Sequence, residues 1–291
     1  MSFHVFPRKP WRWIQFRRTS QQAVVFLTHI ASPRIIYHFL RLKAETRGLL
    51  DSYLCVHNGA NYSRDGNHIA DFAVSSRDEE KTLPIRFAEK VRRGGTITPG
   101  FPDLAYMPAL LSRRLSEYDY IWMVEYDVDF AGHWRELFRP VVSSRADLIG
   151  TTLYPQADCP GWDHWKWFEP PGAVSKRHYI RSFNPIARFS RRMLDAYSKA
   201  VREGTWRGHS EALFPAIASY NGFCFEDLGG AGPFTPQTFL GKNYLNTPSP
   251  EGFLTPGTFV HAPAILTAYF HEAADDFIPH GYLYHPVKPS Y

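Results

Sequence analysis

Short apolar runs that alternate with helical periodicity constrain this chain more than any other feature. Ala23–Ile30 (AVVFLTHI) is apolar and β-branched, the pattern of a strand buried on both faces. Ser32-Pro33 then opens a helical pattern that runs through Arg47, with Ser32 as N-cap and Pro33 at the first helical position. Tyr53–His57 reads as a second strand, ending at Asn58-Gly59, and Asp71–Ser75 as a third. Pro102–Glu117 reads as a helix with Leu104, Met107, Leu110, Leu111 and Leu115 on one side. Tyr120–Val124 (YIWMV) is a fourth strand and Asp147–Leu153 a fifth, with a helical stretch His133–Val142 between them. Alternation of this kind predicts an α/β fold: a mainly parallel central sheet flanked by helices.

The second half is less regular. Cys159–Pro171 is a Trp-rich, Pro-flanked loop, Ser182–Phe189 reads as a strand, Ser190–Glu203 as a helix stopped at Gly204, and Glu211–Ser219 as another helix. Gly229–Pro236 and Asn246–Gly257 are Gly/Pro-rich loops. At 291 residues the expectation is a basic, aromatic arm over 1–22 and one domain over 23–291, with an ordered half (23–153) and an irregular half (154–291).

A net charge of +5 is too small to argue nucleic-acid binding, and no nucleic-acid partner is expected. The arm is different. It interleaves Arg8, Lys9, Arg12, Arg17 and Arg18 with Phe3, Phe6, Trp11, Trp13 and Phe16, a pattern suited to peripheral contact with an anionic membrane, although Pro7 and Pro10 break any helix there. Cys55, Cys159 and Cys224 form no CxxC pair, which fits a reducing, cytoplasmic setting. No apolar run is long enough for a membrane span, and the N-terminal residues do not read as a signal peptide.

The strongest chemical signal is Glu125-Tyr126-Asp127-Val128-Asp129, directly after the strand Tyr120–Val124. Along an extended chain, side chains at i, i+2 and i+4 share a side, so Glu125, Asp127 and Asp129 are expected to converge at a strand's carboxyl end, the edge at which open α/β sheets bind ligands. Clustered carboxylates repel unless a cation lies between them. A hard divalent ion, Mn²⁺ or Mg²⁺, accepts such oxygens and bridges to phosphates.

In order, length and motif the chain resembles glycosyltransferases of the GT-A fold, over about residues 23–288. Its D-x-D is Asp127-Val128-Asp129. The resemblance implies a Rossmann-like nucleotide-sugar-binding half, an acceptor half, and transfer of a sugar from a nucleotide-sugar to a hydroxyl of a carbohydrate, glycolipid or other acceptor. It implies that Asp127 faces the ribose or shares the metal, and that Asp129 ligates the metal. Glu125 lies outside the minimal motif and receives no role. A C-terminal His supplies a further metal ligand in some members; His285 is favoured because Lys288 beside it suits a phosphate, with His261 the rival. Glu211 is the expected base for the acceptor hydroxyl, with Asp227 as rival. Thr28, His29 and Ser32 after the first strand, Asn58 and Gly59 after the second, and Arg77 after the third are the expected donor contacts. Trp162, Trp165 and Trp167 are expected to stack on acceptor sugar faces, with Phe168 beside them and Asp163, His164 and Lys166 on hydroxyls.

Competing readings are a non-catalytic carbohydrate-binding protein on the same fold, and a metal-dependent phosphoesterase. P-loop, dinucleotide and nucleophile-elbow fingerprints are absent. His271-Glu272 has Asp275 where a zincin needs its second His. Asn61-Tyr62-Ser63 is a glycosylation sequon by pattern only.

Overall fold

The computed structural model describes residues 21–30, 32–57, 70–75, 78, 107–272 and 278–289. The basic arm up to residue 20, Asn58, Gly59, the sequon, Arg77 and the first part of the helix expected from Pro102 lie outside the described residues.

Among the described residues, seven strands form the central sheet: β1 (Gln22–Thr28), β2 (Asp51–His57), β3 (Phe72–Val74), β4 (Tyr120–Glu125), β6 (Leu148–Pro155), β7 (Ile180–Ser190) and β8 (Phe225–Asp227). Their order is β3-β2-β1-β4-β7-β6-β8. β1 pairs in parallel with β2 and β4, β2 with β3, and β6 with β8. Only β7 runs against both its neighbours. The mainly parallel α/β sheet expected from the alternation is therefore present. A separate ribbon pairs β5 (Asp129–Phe130) with β9 (Leu283–Tyr284).

Both faces of the sheet are covered, which is why β1 is buried along its whole length. Ala23, Val25 and Leu27 point into one apolar layer and Val24 and Phe26 into the other, the period-two alternation of a strand. On the first face lie the helices Arg191–Arg202 and Ser210–Tyr220, contributing Met193, Leu194, Leu213 and Phe214. On the second lie the helices Pro33–Glu45 and Trp134–Phe138, contributing Ile35, Phe39, Leu42, Trp134 and Phe138. Truncating a fully buried ring such as Phe26 to alanine costs about 3–5 kcal/mol at such a site.

Helix ends follow local chemistry. Ser32 holds the N-cap position of Pro33–Glu45, but its hydroxyl makes no capping bond. Ser190 does cap the next long helix, its Oγ accepting from the Met193 N–H at 3.1 Å. Gly204, at φ +65°, ends that helix in the left-handed region, where glycine carries no Cβ penalty. The helix expected over His133–Val142 stops at Phe138, because Pro140 has no N–H to give to the preceding turn.

This topology fixes where a ligand can sit. The chain builds β1, β2 and β3 outward, then crosses back to place β4 on the other side of β1. The crevice at that reversal opens at the carboxyl ends of β1 and β4. Because β7 is antiparallel, with Ile186 opposite Val124, its first residues project past the carboxyl end of β4 to the same edge. β6 ends there too, with Pro155 opposite Ile180.

Candidate functional site at the carboxyl edge of the sheet

Beyond Glu125 the strand does not continue. Residues 126 and 127 turn, closed by the Val128 N–H to the Glu125 carbonyl at 3.0 Å. That turn breaks the alternation on which a Glu125, Asp127 and Asp129 trio depends. The group that converges is Glu125, Asp127 and His285, with one potential ligand atom from each within 4.8 Å of the others. His285 arrives from the end of β9, its N–H bonded to the Thr258 carbonyl at 2.9 Å, while the Val287 N–H reaches the Asp127 carbonyl at 2.8 Å.

Asp127 is 5% exposed. Burial by itself would raise its carboxyl, but His285, when its ring carries a second proton, and Lys288 overcome this and hold it down at about 2. Its Oδ2 accepts from the Lys288 ammonium, which also bonds the Tyr126 hydroxyl at 3.2 Å. Its Oδ1 is buried without a hydrogen-bond partner and faces His285 Nε2 at 3.6 Å. His285 Nδ1 lies 2.7 Å from the Val260 carbonyl, an acceptor only, so Nδ1 carries the hydrogen and Nε2 faces Asp127, giving a proton when the ring is charged and a lone pair when it is neutral. An orphaned carboxylate oxygen, an imidazole lone pair aimed at it and a second carboxylate beside them fit a divalent cation, and a set rich in oxygen with one nitrogen suits Mn²⁺ or Mg²⁺.

Asp129 is not part of that group. Its fully buried carboxylate accepts from Arg41 at 2.9 Å and its own following N–H at 2.7 Å through Oδ1, and from the Phe270 N–H at 2.6 Å through Oδ2. The turn at 126–127 sends it to the back of the edge, where it anchors the helix Pro33–Glu45 to β5.

The other expected donor contacts divide. His29 borders the site: its ring meets Tyr126 edge-on at 5.1 Å, and its pKa is lowered by burial, opposed by the charge of Asp127 and assisted by Lys288 and His57. Thr28 is buried, and its hydroxyl closes a turn with the backbone of Ile30, with both bonds at 3.0 Å. Asn58 and Arg77 lie outside the described residues.

Next along the edge is an acid–imidazole cluster. Glu211 stands in the first turn of the helix Ser210–Tyr220, which is tied to β7 by the Ser182 hydroxyl on the Glu211 carbonyl at 2.9 Å. Its Oε1 accepts from the Asn184 N–H at 3.3 Å, and its Oε2 lies 3.6 Å from His209 Nδ1. His164 stacks on His209 at 3.9 Å. Burial, then Arg181 and His261, push His164 down to about 4, and burial, with His164 next, keeps His209 neutral as well. The Arg181 guanidinium lies 4.4 Å from the Trp162 ring centre and donates to the Gly252 carbonyl at 2.8 Å. Gly252, at φ +91°, lies so close to Trp162 that a Cβ there would come within 2.5 Å of the ring.

The three tryptophans separate. Trp162 is buried beside Arg181 and His209; Trp165 packs inward on Phe168 and Tyr179 and donates to the Cys159 carbonyl at 2.9 Å; Trp167 is 40% exposed. Asp227 is sealed in. It accepts from Leu153 N–H at 2.8 Å, Gly229 N–H at 3.1 Å and the Tyr244 hydroxyl at 2.8 Å, and burial pushes its carboxyl up to about 7. Tyr244 in turn holds the N–H of Thr152 at 2.7 Å, supporting that residue at φ +53°. With every oxygen committed to the fold, Asp227 braces the end of β6 and presents nothing to a ligand.

Three residues at this edge were not singled out from sequence as site residues: Arg181, Asn184 and His209. Asn184 is the most telling, a 3%-exposed amide with neither side-chain atom partnered. A cleft of about 750 Å³ opens at the opposite edge, beside Asp119, Asp147 and Arg192. There Asp147 is already committed to Arg192, Ser190 and the Cys224 N–H, so its charge is structural.

No protein-family model matches the chain, and no curated protein matches it. Among solved structures, it is similar to the X-ray structure of the mannosyltransferase Ktr4p from S. cerevisiae, with TM-score 0.42 and 9% identity over 72% of this chain and 68% of that one. A likeness of that degree assigns this chain neither a substrate nor a reaction. Among the described residues, no helix is long and apolar enough to cross a membrane.

Proposed function

We propose that this chain is a GT-A-type glycosyltransferase, taking a sugar from a nucleotide-sugar to an acceptor hydroxyl with Mn²⁺ or Mg²⁺ held by Asp127, His285 and Glu125. One observation carries the reading. At the switch point of the sheet, a buried carboxylate oxygen with no partner within hydrogen-bond distance faces an imidazole nitrogen at 3.6 Å, with a second acid alongside. The bound ion supplies charge to offset the diphosphate that builds up as the glycosidic bond breaks.

The protein's own groups do the rest. Lys288, its side chain 43% exposed, lends a second positive charge to the leaving diphosphate. His29 and Tyr126 line the donor side. Glu211 takes the proton of the acceptor hydroxyl, and the buried Asn184 amide offers a donor and an acceptor to orient the sugar. Trp162 and the exposed Trp167 border the acceptor side.

The test is transfer from UDP-, GDP-, CMP- and dTDP-sugars, with and without Mn²⁺, alongside thermal shift on the same panel. Selective, metal-dependent stabilisation with turnover supports the reading. Binding of a free sugar with no nucleotide dependence indicates a carbohydrate-binding protein instead, and cleavage of a plain phosphodiester without a sugar nucleotide indicates a phosphoesterase.

A further inference from the structure

A second cluster lies behind the turn that carries Asp127. Here the helix Pro33–Glu45, β5 and the short 3₁₀ turn Phe270–Glu272 meet. His38 is wholly buried on the inner face of that helix. Its Nε2 lies 2.8 Å from the Val128 carbonyl, so Nε2 carries the hydrogen and the lone pair sits on Nδ1. Nδ1 has no hydrogen-bond partner and stands 3.9 Å from Asp129 Oδ1. Both ring nitrogens of His271 are likewise buried without partners. The two imidazoles and Tyr269 are stacked nearly parallel, His38 on Tyr269 at 4.0 Å and Tyr269 on His271 at 5.9 Å. One atom each from His38, Asp129 and His271 lies within 4.8 Å of the others.

We propose that His38 Nδ1, a carboxylate oxygen of Asp129 and a ring nitrogen of His271 form a second metal site, selective for Zn²⁺ over Mg²⁺ or Ca²⁺. Two imidazoles and one carboxylate are a nitrogen-rich set of the kind zinc takes, whereas the hard cations seek six or more oxygens. Burial lowers the pKa of both histidines, and the neutral ring is the form that ligates. Outer contacts orient the ligands: Val128 fixes the His38 tautomer, while Arg41 and the Phe270 N–H hold Asp129. An ion here shares Asp129 with Arg41. It braces the acidic turn from behind, since His38 holds the Val128 carbonyl and Tyr269 donates to the Tyr126 carbonyl at 2.8 Å. The site uses none of the ligands assigned above to sugar transfer and stands apart from that reading.

The test uses the full chain carrying His285→Gln, which removes the imidazole of the first site, stripped with chelator and then titrated with Zn²⁺ against a chromogenic competitor. One equivalent should bind, raise the melting temperature, and be outcompeted neither by millimolar Mg²⁺ nor by Ca²⁺; Co²⁺ in its place should show intense visible bands of a low-coordinate site. Adding His271→Ala, at the more accessible ligand, should weaken Zn²⁺ at least about tenfold and abolish the thermal shift while leaving the fold intact by circular dichroism. Adding His38→Gln should do the same. Absence of Zn²⁺ binding in His285→Gln, or undiminished binding after His271→Ala, would overturn the assignment, whatever the sugar-transfer assay returns.

Discussion

His285 and Asp127, distant in sequence, face each other at 3.6 Å between Nε2 and Oδ1. The tautomer set by Val260 leaves Nε2 facing the carboxylate, so that a neutral ring turns a lone pair toward it. Two electron-rich atoms so placed repel one another, and a cation between them or a proton on the ring removes that repulsion. Lys288 already occupies the other oxygen of Asp127, so the carboxylate stays ionised.

Asp127→Asn should therefore end metal-dependent binding of the nucleotide-sugar and lower transfer by about 100-fold or more, the scale seen when a single group that stabilises transition-state charge is removed. Calorimetric titration of donor with and without Mn²⁺ reads the first effect, and initial rates read the second. Retention of both in a folded variant refutes the ligand assignment.

Asp129→Asn should behave differently. Its partner Arg41 is 9% exposed at the side chain, and breaking a buried pair from one side costs about 3–5 kcal/mol. Urea denaturation should show that loss for Asp129→Asn and for Arg41→Met, with the double variant losing less than the sum. Strict additivity would mean that the two side chains do not act as a pair.

Glu211→Gln should lower kcat by about 10²–10⁴ while leaving the affinity for donor unchanged, because the carboxylate is assigned only to the acceptor proton. Asp227→Asn should not reproduce that loss per folded molecule. If the two variants exchange phenotypes, the proton goes to the other acid.

Asp227 predicts a pH dependence of stability. Its carboxyl titrates near 3.8 when unfolded and at about 7 when folded, with burial the cause. Between those values the folded chain holds a proton that the unfolded chain has lost. Stability on this account is full at low pH, falls as pH rises through that window and levels above it. The fall is at most about 4 kcal/mol, at about 1.4 kcal/mol per pH unit. Denaturation midpoints of wild type minus Asp227→Asn, followed from pH 4 to 8, should trace that decline; a flat difference refutes it.

The fold was largely legible because its signals are local. AVVFLTHI and YIWMV are buried on both faces and had to be strands, and Gly204 ends its helix as glycine does. The direction of β7 was not legible, since a fully buried strand reads the same either way. The site was legible in part. Asp127 was nameable from its place after a strand and His285 only through the family resemblance, while Asp129 was misplaced by assuming that extended chain continued through Tyr126, where a turn intervenes. Asn184 and Arg181 depend on how β7 projects past β4 and pairs with β6, which no local window contains. Asp227 looked like a base from its neighbours in sequence; only its three donors from distant segments reveal a brace.

The ribbon of β5 and β9 has a bearing on when the protein can act. All seven strands of the main sheet precede residue 228, whereas the imidazole that completes the acidic pair reaches it only when Tyr284 has docked opposite Asp129. On the proposed reading, every strand of that sheet is thus synthesised before the segment that brings His285 to Asp127. That segment also carries the buried side chains Leu283, Tyr284 and Val287, so on this reading the last strand closes the apolar layer and the candidate site together.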